Sequence, residues 1–79
     1  MRLDKFLKVS RVIKRRPVAN EACDMGRVSI NGKVAKASSE VKVGDIIEIK
    51  FGEKTIKFEI TAINDVATKA GAEGMIKPL

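Results

Sequence analysis

Residues 2–17 read RLDKFLKVSRVIKRRP, and this stretch predicts how the fold begins. Apolar residues recur in it at three- and four-residue spacing, which places them in one stripe along a helix and leaves the basic residues on the other faces. The pattern predicts a first helix from about residue 2 to residue 13. Its apolar stripe consists of Leu3, Phe6, Leu7, Val9, Val12 and Ile13.

A second short helix is predicted after the basic run that ends at Arg16. Pro17 suits the first position of a helix, because the N–H that proline lacks would have no partner there. The helix is expected to run to Met25, and Gly26 can adopt the left-handed conformation that ends it. Cys23 is expected to be a small buried residue of this helix.

Two hairpins are predicted after the helices. Val28 and Ile30 alternate with polar residues, and the pair Asn31-Gly32 is the strongest two-residue hairpin signal. A second hairpin is expected to turn at Gly52-Glu53 between two alternating segments. The residues expected to face inward in these segments are Ile47, Ile49, Phe51, Ile56, Phe58 and Ile60.

These elements predict an α+β domain in which two short N-terminal helices pack on a small, mostly antiparallel sheet. A chain of 79 residues has room for one such domain. We expect the domain to span residues 1–64. Residues 65–79 lack sustained periodicity and are expected to form a flexible tail.

The net charge of +6 is concentrated at one end of the chain. Residues 1–16 contain seven Lys or Arg and one Asp, whereas the remaining residues contain equal numbers of basic and acidic side chains. Segregated charge of this kind creates a local positive field that suits a polyanion. Nucleic acid and an acidic membrane surface are the two candidate partners at this point.

Enzymatic and metal chemistry find little support in the sequence. The chain has no histidine and one cysteine, so neither a His-activated nucleophile nor a zinc site is supported. Glu21 and Asp24 are three residues apart on the predicted second helix and are expected to lie on a solvated face. We expect a non-enzymatic protein without a cofactor. It is also expected to be cytoplasmic, because no run of about 18 apolar residues or secretory signal is present.

The basic N-terminal residues are the candidate RNA-binding site. The expected RNA ligands are Arg2, Lys5, Lys8, Arg11, Lys14, Arg15 and Arg16. Arg15 and Arg16 lie beside the start of the second helix, where free N–H groups and the helix dipole also attract phosphate. The chain has no Trp or Tyr, so recognition is expected to depend on phosphates and RNA shape rather than on base stacking. Reading of DNA by the second helix is disfavoured, because only Asn20 could reach base edges.

Four spaced motifs resemble one RNA-binding family. They are the run from Arg2 to Leu7, Arg16 followed by Ala19, the segment Gly26-Arg27-Val28 with Ile30-Asn31-Gly32, and Val43-Gly44-Asp45. In this order they resemble the domain named after ribosomal small-subunit protein S4, with the match covering residues 1–51. Within this family the chain is most similar to the free-standing bacterial factors of ribosome-associated quality control.

This resemblance implies a more specific function. It implies binding to obstructed large ribosomal subunits through ribosomal RNA and peptidyl-tRNA, and assistance to a partner elongation factor that adds alanine tails to stalled chains. It carries functional positions onto Arg2, Asp4, Lys5 and Arg16, with Asp4 either orienting Arg2 or capping the first helix. A monomer without membrane contact is expected. One departure from the family pattern is Arg15, where a capping serine is common.

Two alternatives stay open. One is a heat-shock or ribosome-assembly RNA-binding protein on the same fold, since these relatives share the motifs. The other is a protein-interaction or membrane-surface module that uses the first helix as a basic amphipathic element.

Overall fold

The computed structural model describes residues 1–63 and 74–79. Within these residues two helices precede five strands, and the strands form one antiparallel sheet in the order β2-β1-β3-β4-β5. The predicted α+β architecture is therefore confirmed. The elements are α1 (Leu3–Val9), α2 (Arg16–Asp24), β1 (Val28–Ile30), β2 (Lys33–Val34), β3 (Ile46–Phe51), β4 (Lys54–Ile60) and β5 (Ile76–Pro78).

The first helix is shorter than predicted and ends at Val9. The chain reverses at Arg11, which has a φ of 61°, a left-handed conformation that glycine adopts more readily. The N–H of Arg11 donates to the carbonyl of Lys8, and the N–H of Ile13 donates to the carbonyl of Leu7. The helical spacing of apolar residues in the sequence extends beyond the end of α1 because Ile13 packs into the core from the turn that follows the helix.

The second helix begins at Arg16, one residue before the predicted start, and ends at Asp24. Arg15 takes the N-cap position without a capping hydrogen bond from its side chain, and Pro17 occupies the first turn. Gly26 follows the helix with a φ of 72°, as predicted. Cys23 is buried, and burial is the main reason why its pKa is raised to about 11.

The two predicted hairpins are present. Asn31 and Gly32 both have positive φ values, 51° and 85°, which is the combination that a type I′ turn requires. The Asn31 amide also donates to the Asp45 carboxylate at 3.1 Å, and its oxygen accepts from the N–H of Ile46 at 2.9 Å. These bonds join the first hairpin to the turn that precedes β3.

The core lies between the helices and one face of the sheet. Its largest fully buried side chains include Phe6, Leu3 and Leu7 of α1, together with Phe58 and Ile47 of the sheet. Ile56 was predicted to be buried on the inner face of the sheet, and this prediction is wrong because its side chain is 43% exposed. Ile56 pairs with the buried Ile49, but only the β3 member of this pair is covered by the core.

The prediction of a flexible tail is wrong for its last residues. Met75 is fully buried, and β5 pairs with β4 through Phe58↔Pro78, Glu59↔Lys77 and Ile60↔Ile76. Three residues are too few to show a periodic pattern in the sequence, and their strand conformation depends on the exposed edge of β4. Residues 65–73 of the predicted tail lie outside the described residues.

Candidate nucleic-acid interface

The carboxylate of Asp4 connects the two helices at the basic end of the molecule. Asp4 is 1% exposed. Arg2 donates to it through Nε and Nη2, each at 3.2 Å, and Nε of Arg16 lies 3.4 Å from Oδ2. Asn20, one helical turn after Arg16, donates from Nδ2 to Oδ2 at 3.3 Å. One buried carboxylate thus connects α1 to two side chains of α2.

Asp4 also satisfies the start of its own helix. Its Oδ1 accepts the backbone N–H of Lys5 at 2.8 Å. The two preceding N–H groups, those of Leu3 and Asp4, donate to the carbonyls of Ser39 and Ala37. Asp4 therefore contacts Arg2 and accepts one N–H within the first turn of α1, whereas the N-cap position is occupied by Arg2 and receives no capping bond from a side chain.

The hydrogen bonds to Asp4 keep its carboxylate ionised. Burial alone would raise the pKa, but hydrogen bonds from Asn20, the backbone N–H of Lys5 and Arg16, together with the charge of Arg16, outweigh it, so the pKa of Asp4 is lowered. An ionised Asp4 accepts hydrogen bonds and donates none. It can therefore hold both guanidinium groups, each of which carries more N–H donors than this carboxylate uses.

Arg2 and Arg16 retain surface exposed to solvent. Their side chains are 51% and 44% exposed, whereas the Asp4 side chain is 2% exposed. Each arginine thus has one edge directed at a buried carboxylate and another part accessible to a ligand. Rigid guanidinium groups of this kind bind phosphate with less loss of side-chain entropy than freely rotating ones.

The other predicted RNA ligands lie on α1 and in the segment that joins the helices. The Lys5 side chain is partly buried on α1. The remaining four are exposed and do not share the Asp4 contact with the two arginines; they are Lys8, Arg11, Lys14 and Arg15. The structure therefore brings Arg2 and Arg16 together around Asp4 and leaves these four as accessible surface charges.

A shallow groove of about 390 Å³ lies next to this cluster, lined by Asp4, Arg16, Pro17 and Asn20. Asn20 contacts Asp4, and this contact was not predicted from the sequence. Its spacing of four residues from Arg16 was the available signal, since residues at this spacing share one helix face.

The described residues contain neither a metal-binding cluster nor a membrane-spanning helix. Within residues 1–63 and 74–79, no group of three or more His, Cys, Asp or Glu side chains is placed to hold a metal ion. No helix in that part of the chain is long and apolar enough to cross a membrane. The apolar stripe of α1 is occupied by core packing, because Leu3, Phe6 and Leu7 are fully buried. An amphipathic helix that binds a membrane surface requires this stripe to be accessible.

Known proteins resemble this chain in both sequence and fold. A family model of the S4 domain matches residues 1–47. The chain is 53% identical over 75 residues to the RQC P-site tRNA stabilizing factor of Bacillus subtilis, covering 95% of this chain and 87% of the relative. It is 51% identical over 75 residues to the protein of the same name in Streptococcus pneumoniae, covering 95% and 85%. Among solved structures, the trimeric heat shock protein 15 of Vibrio cholerae superimposes with a TM-score of 0.90 at 31% identity, covering all of this chain and 81% of that one.

Proposed function

This chain belongs to the S4 domain family, and we propose that it is an RNA-binding factor of ribosome-associated quality control that stabilises tRNA in the ribosomal P site. The observation that carries the proposal is the pair of half-exposed arginines, one beside each helix start, held on the buried carboxylate of Asp4. Two relatives that this chain matches over nearly its whole length have names that state this role.

The proposed ligands are the sugar-phosphate backbones of folded RNA. Arg2 and Arg16 would contact phosphates directly, and the exposed basic residues of α1 and the following turn would extend the contact along the backbone. Lys5, which also lies on α1, would be a further phosphate ligand. On the ribosome, the two RNAs would be large-subunit ribosomal RNA and peptidyl-tRNA.

In the proposed reaction sequence this protein performs no chemical step. It holds peptidyl-tRNA on an obstructed large subunit while a partner elongation factor adds alanine residues to the stalled chain. A monomer of this size fits the proposal, since a single basic face can contact both RNAs at their junction. This role would place the protein in the cytoplasm with the ribosomes.

The test is co-sedimentation with large ribosomal subunits that carry peptidyl-tRNA. We expect the wild-type protein to sediment with them and the double variant Arg2→Ala/Arg16→Ala to remain largely in the supernatant. The matched control is Lys57→Ala/Lys77→Ala, which removes the same charge from β4 and β5. Lys57 directly precedes the buried Phe58 in β4, and Lys77 pairs with Glu59, which directly follows Phe58. Because neighbouring residues of a strand point to opposite faces, both lysines lie on the sheet face opposite the helices. Equal sedimentation of both double variants and the wild type would refute the assigned site.

A second candidate function is that of a heat-shock RNA-binding protein, favoured by the fold similarity to heat shock protein 15. The two candidates differ in the particle that the protein selects. Sedimentation with subunits that have been stripped of peptidyl-tRNA, at an affinity equal to that for the loaded subunits, would favour this second candidate.

A further inference from the structure

Asn20 differs in chemistry from the other polar side chains of the groove. Its Nδ2 atom donates to Oδ2 of Asp4. Because the ionised carboxylate can only accept, this contact determines which way the Asn20 amide is turned. The NH₂ group faces Asp4, and the amide oxygen is the acceptor left over for another partner.

Other acceptors in the groove are already in use. The two oxygens of Asp4 receive Nε and Nη2 of Arg2, the N–H of Lys5, the amide of Asn20 and Nε of Arg16. The arginine side chains offer donors alone. Pro17 contributes no polar side-chain atom. A ligand in this groove that can both accept from arginine and donate a hydrogen bond would therefore find its acceptor in the Asn20 oxygen.

RNA presents this combination on a single ribose. The phosphate on the 3′ side accepts hydrogen bonds, and the neighbouring 2′-hydroxyl can donate one. DNA has the phosphate and lacks the hydroxyl. Arg16 and Asn20 are four residues apart on α2, which places their side chains side by side on one face of the helix. Both side chains also contact the same Oδ2 atom of Asp4, so they present a donor and an acceptor next to each other.

We propose that Asn20 accepts a hydrogen bond from the ribose 2′-hydroxyl of the nucleotide whose phosphate Arg16 contacts, and that Asn20 is a residue by which this protein selects RNA over DNA. This inference rests on the proposed function, since it assumes that the groove binds RNA. It adds a sugar-specific contact to an interface whose charged contacts are the same for both nucleic acids.

The experiment compares RNA and DNA hairpins of identical stem sequence, about ten base pairs long, by fluorescence anisotropy. The variant Asn20→Leu keeps the side-chain volume and removes the acceptor. Val18→Ala, a change at an exposed position of the same helix, is the control. Arg16→Ala is measured in parallel, and it should weaken RNA and DNA binding by the same factor because it removes a phosphate contact.

For Asn20→Leu we expect the affinity for RNA to fall about three- to tenfold further than the affinity for DNA, as for one hydrogen bond. Any loss that comes from the broken contact with Asp4 is common to both nucleic acids. Equal losses for RNA and DNA would overturn the inference, because they would mean that Asn20 acts only by positioning Asp4 and Arg16. Unchanged RNA binding would also overturn it. If the wild type binds neither hairpin, or if Arg16→Ala has no effect, the proposed function itself is refuted. These two results differ from those that refute only the role of Asn20.

A second set of probes tests the contact first on the wild-type protein, where the folding of a variant plays no part. Hairpins that carry a single 2′-deoxy substitution are scanned against the wild-type protein, and one position is expected to weaken binding about as much as Asn20→Leu does. That same probe should show no further loss with the variant, since both changes remove one contact. Additive losses at every position would contradict the assignment.

Discussion

The side chains of Asp4 and Arg16 meet across the two helices, with Nε of the arginine 3.4 Å from Oδ2 of the carboxylate. Asp4 is a residue of α1 and Arg16 is the first residue of α2. Because Arg2 donates to the same carboxylate, the acidic residue at the centre of a basic surface determines the relative positions of two arginines. Asp4 should therefore strengthen RNA binding by holding the arginines, although its negative charge alone would weaken it.

Replacement of Asp4 by Asn separates these two effects. Loss of a negative charge would by itself strengthen binding to RNA, whereas loss of the anchor releases both arginines and should weaken binding about three- to tenfold. The free energy of unfolding should also fall by about 1 to 3 kcal/mol, because a buried amide cannot satisfy all of these donors. Anisotropy with an RNA hairpin and urea unfolding measure the two quantities. The control is Glu21→Gln on the exposed side of α2, and tighter binding by both variants would contradict the anchoring role.

The lowered pKa of Asp4 predicts a specific acid dependence of stability. A carboxyl whose pKa is lower in the folded than in the unfolded state stabilises the fold above its unfolded pKa, here the ordinary value of 3.8. This contribution is lost as the pH falls below that value and through the folded pKa. Urea unfolding between pH 7 and pH 2 should therefore show a steeper loss for the wild type than for Asp4→Asn. Parallel curves for the two proteins would mean that Asp4 titrates with its unfolded pKa.

The left-handed conformation of Arg11 can be tested with two substitutions that remove the same charge. Arg11→Gly relieves the steric cost of a side chain at a φ of 61°, whereas Arg11→Ala retains it. We expect the glycine variant to be the more stable of the two by about 1 kcal/mol. Thermal or urea unfolding measures the difference. An alanine variant as stable as the glycine variant would show that the turn relaxes to another conformation.

Met75 tests whether the last strand belongs to the folded unit. This side chain is fully buried, so Met75→Ala should lower the free energy of unfolding by about 2 to 4 kcal/mol. The same change at Met25, which is 56% exposed, serves as the matched control and should cost much less. If the two variants had equal stabilities, residues 74–79 would contribute little to the core in solution.

The parts of the fold that were predictable from the sequence depend on local patterns. Asn31-Gly32 predicted its turn because both residues tolerate positive φ, and the stripe of Leu3, Phe6 and Leu7 predicted the buried face of α1. The end of α1 was not predictable, since Ile13 continues the helical spacing although Arg11 has already reversed the chain. Strand β5 was missed because its pairing depends on the distant edge of β4.

The candidate site was predictable in its composition and not in its geometry. The charge pattern identified the basic end, and the family motifs singled out Asp4 and Arg16. The shared contact of these residues with Asn20 depends on how α1 packs against α2. Tertiary packing brings together side chains that are up to 16 residues apart, and such contacts are not encoded in spacing along one helix.

The most direct test of the central claim is the salt dependence of RNA binding. If about six phosphates are contacted, affinity for an RNA hairpin should fall on the order of a thousandfold between roughly 50 and 200 mM salt. In Arg2→Ala/Arg16→Ala, the slope of log affinity against log salt should decrease in magnitude by about 1.5, since two phosphate contacts are lost. The slope of Lys57→Ala/Lys77→Ala should match that of the wild type. Equal slopes for both double variants, or a flat response of the wild type, would contradict the claim that Asp4 presents Arg2 and Arg16 to RNA phosphates.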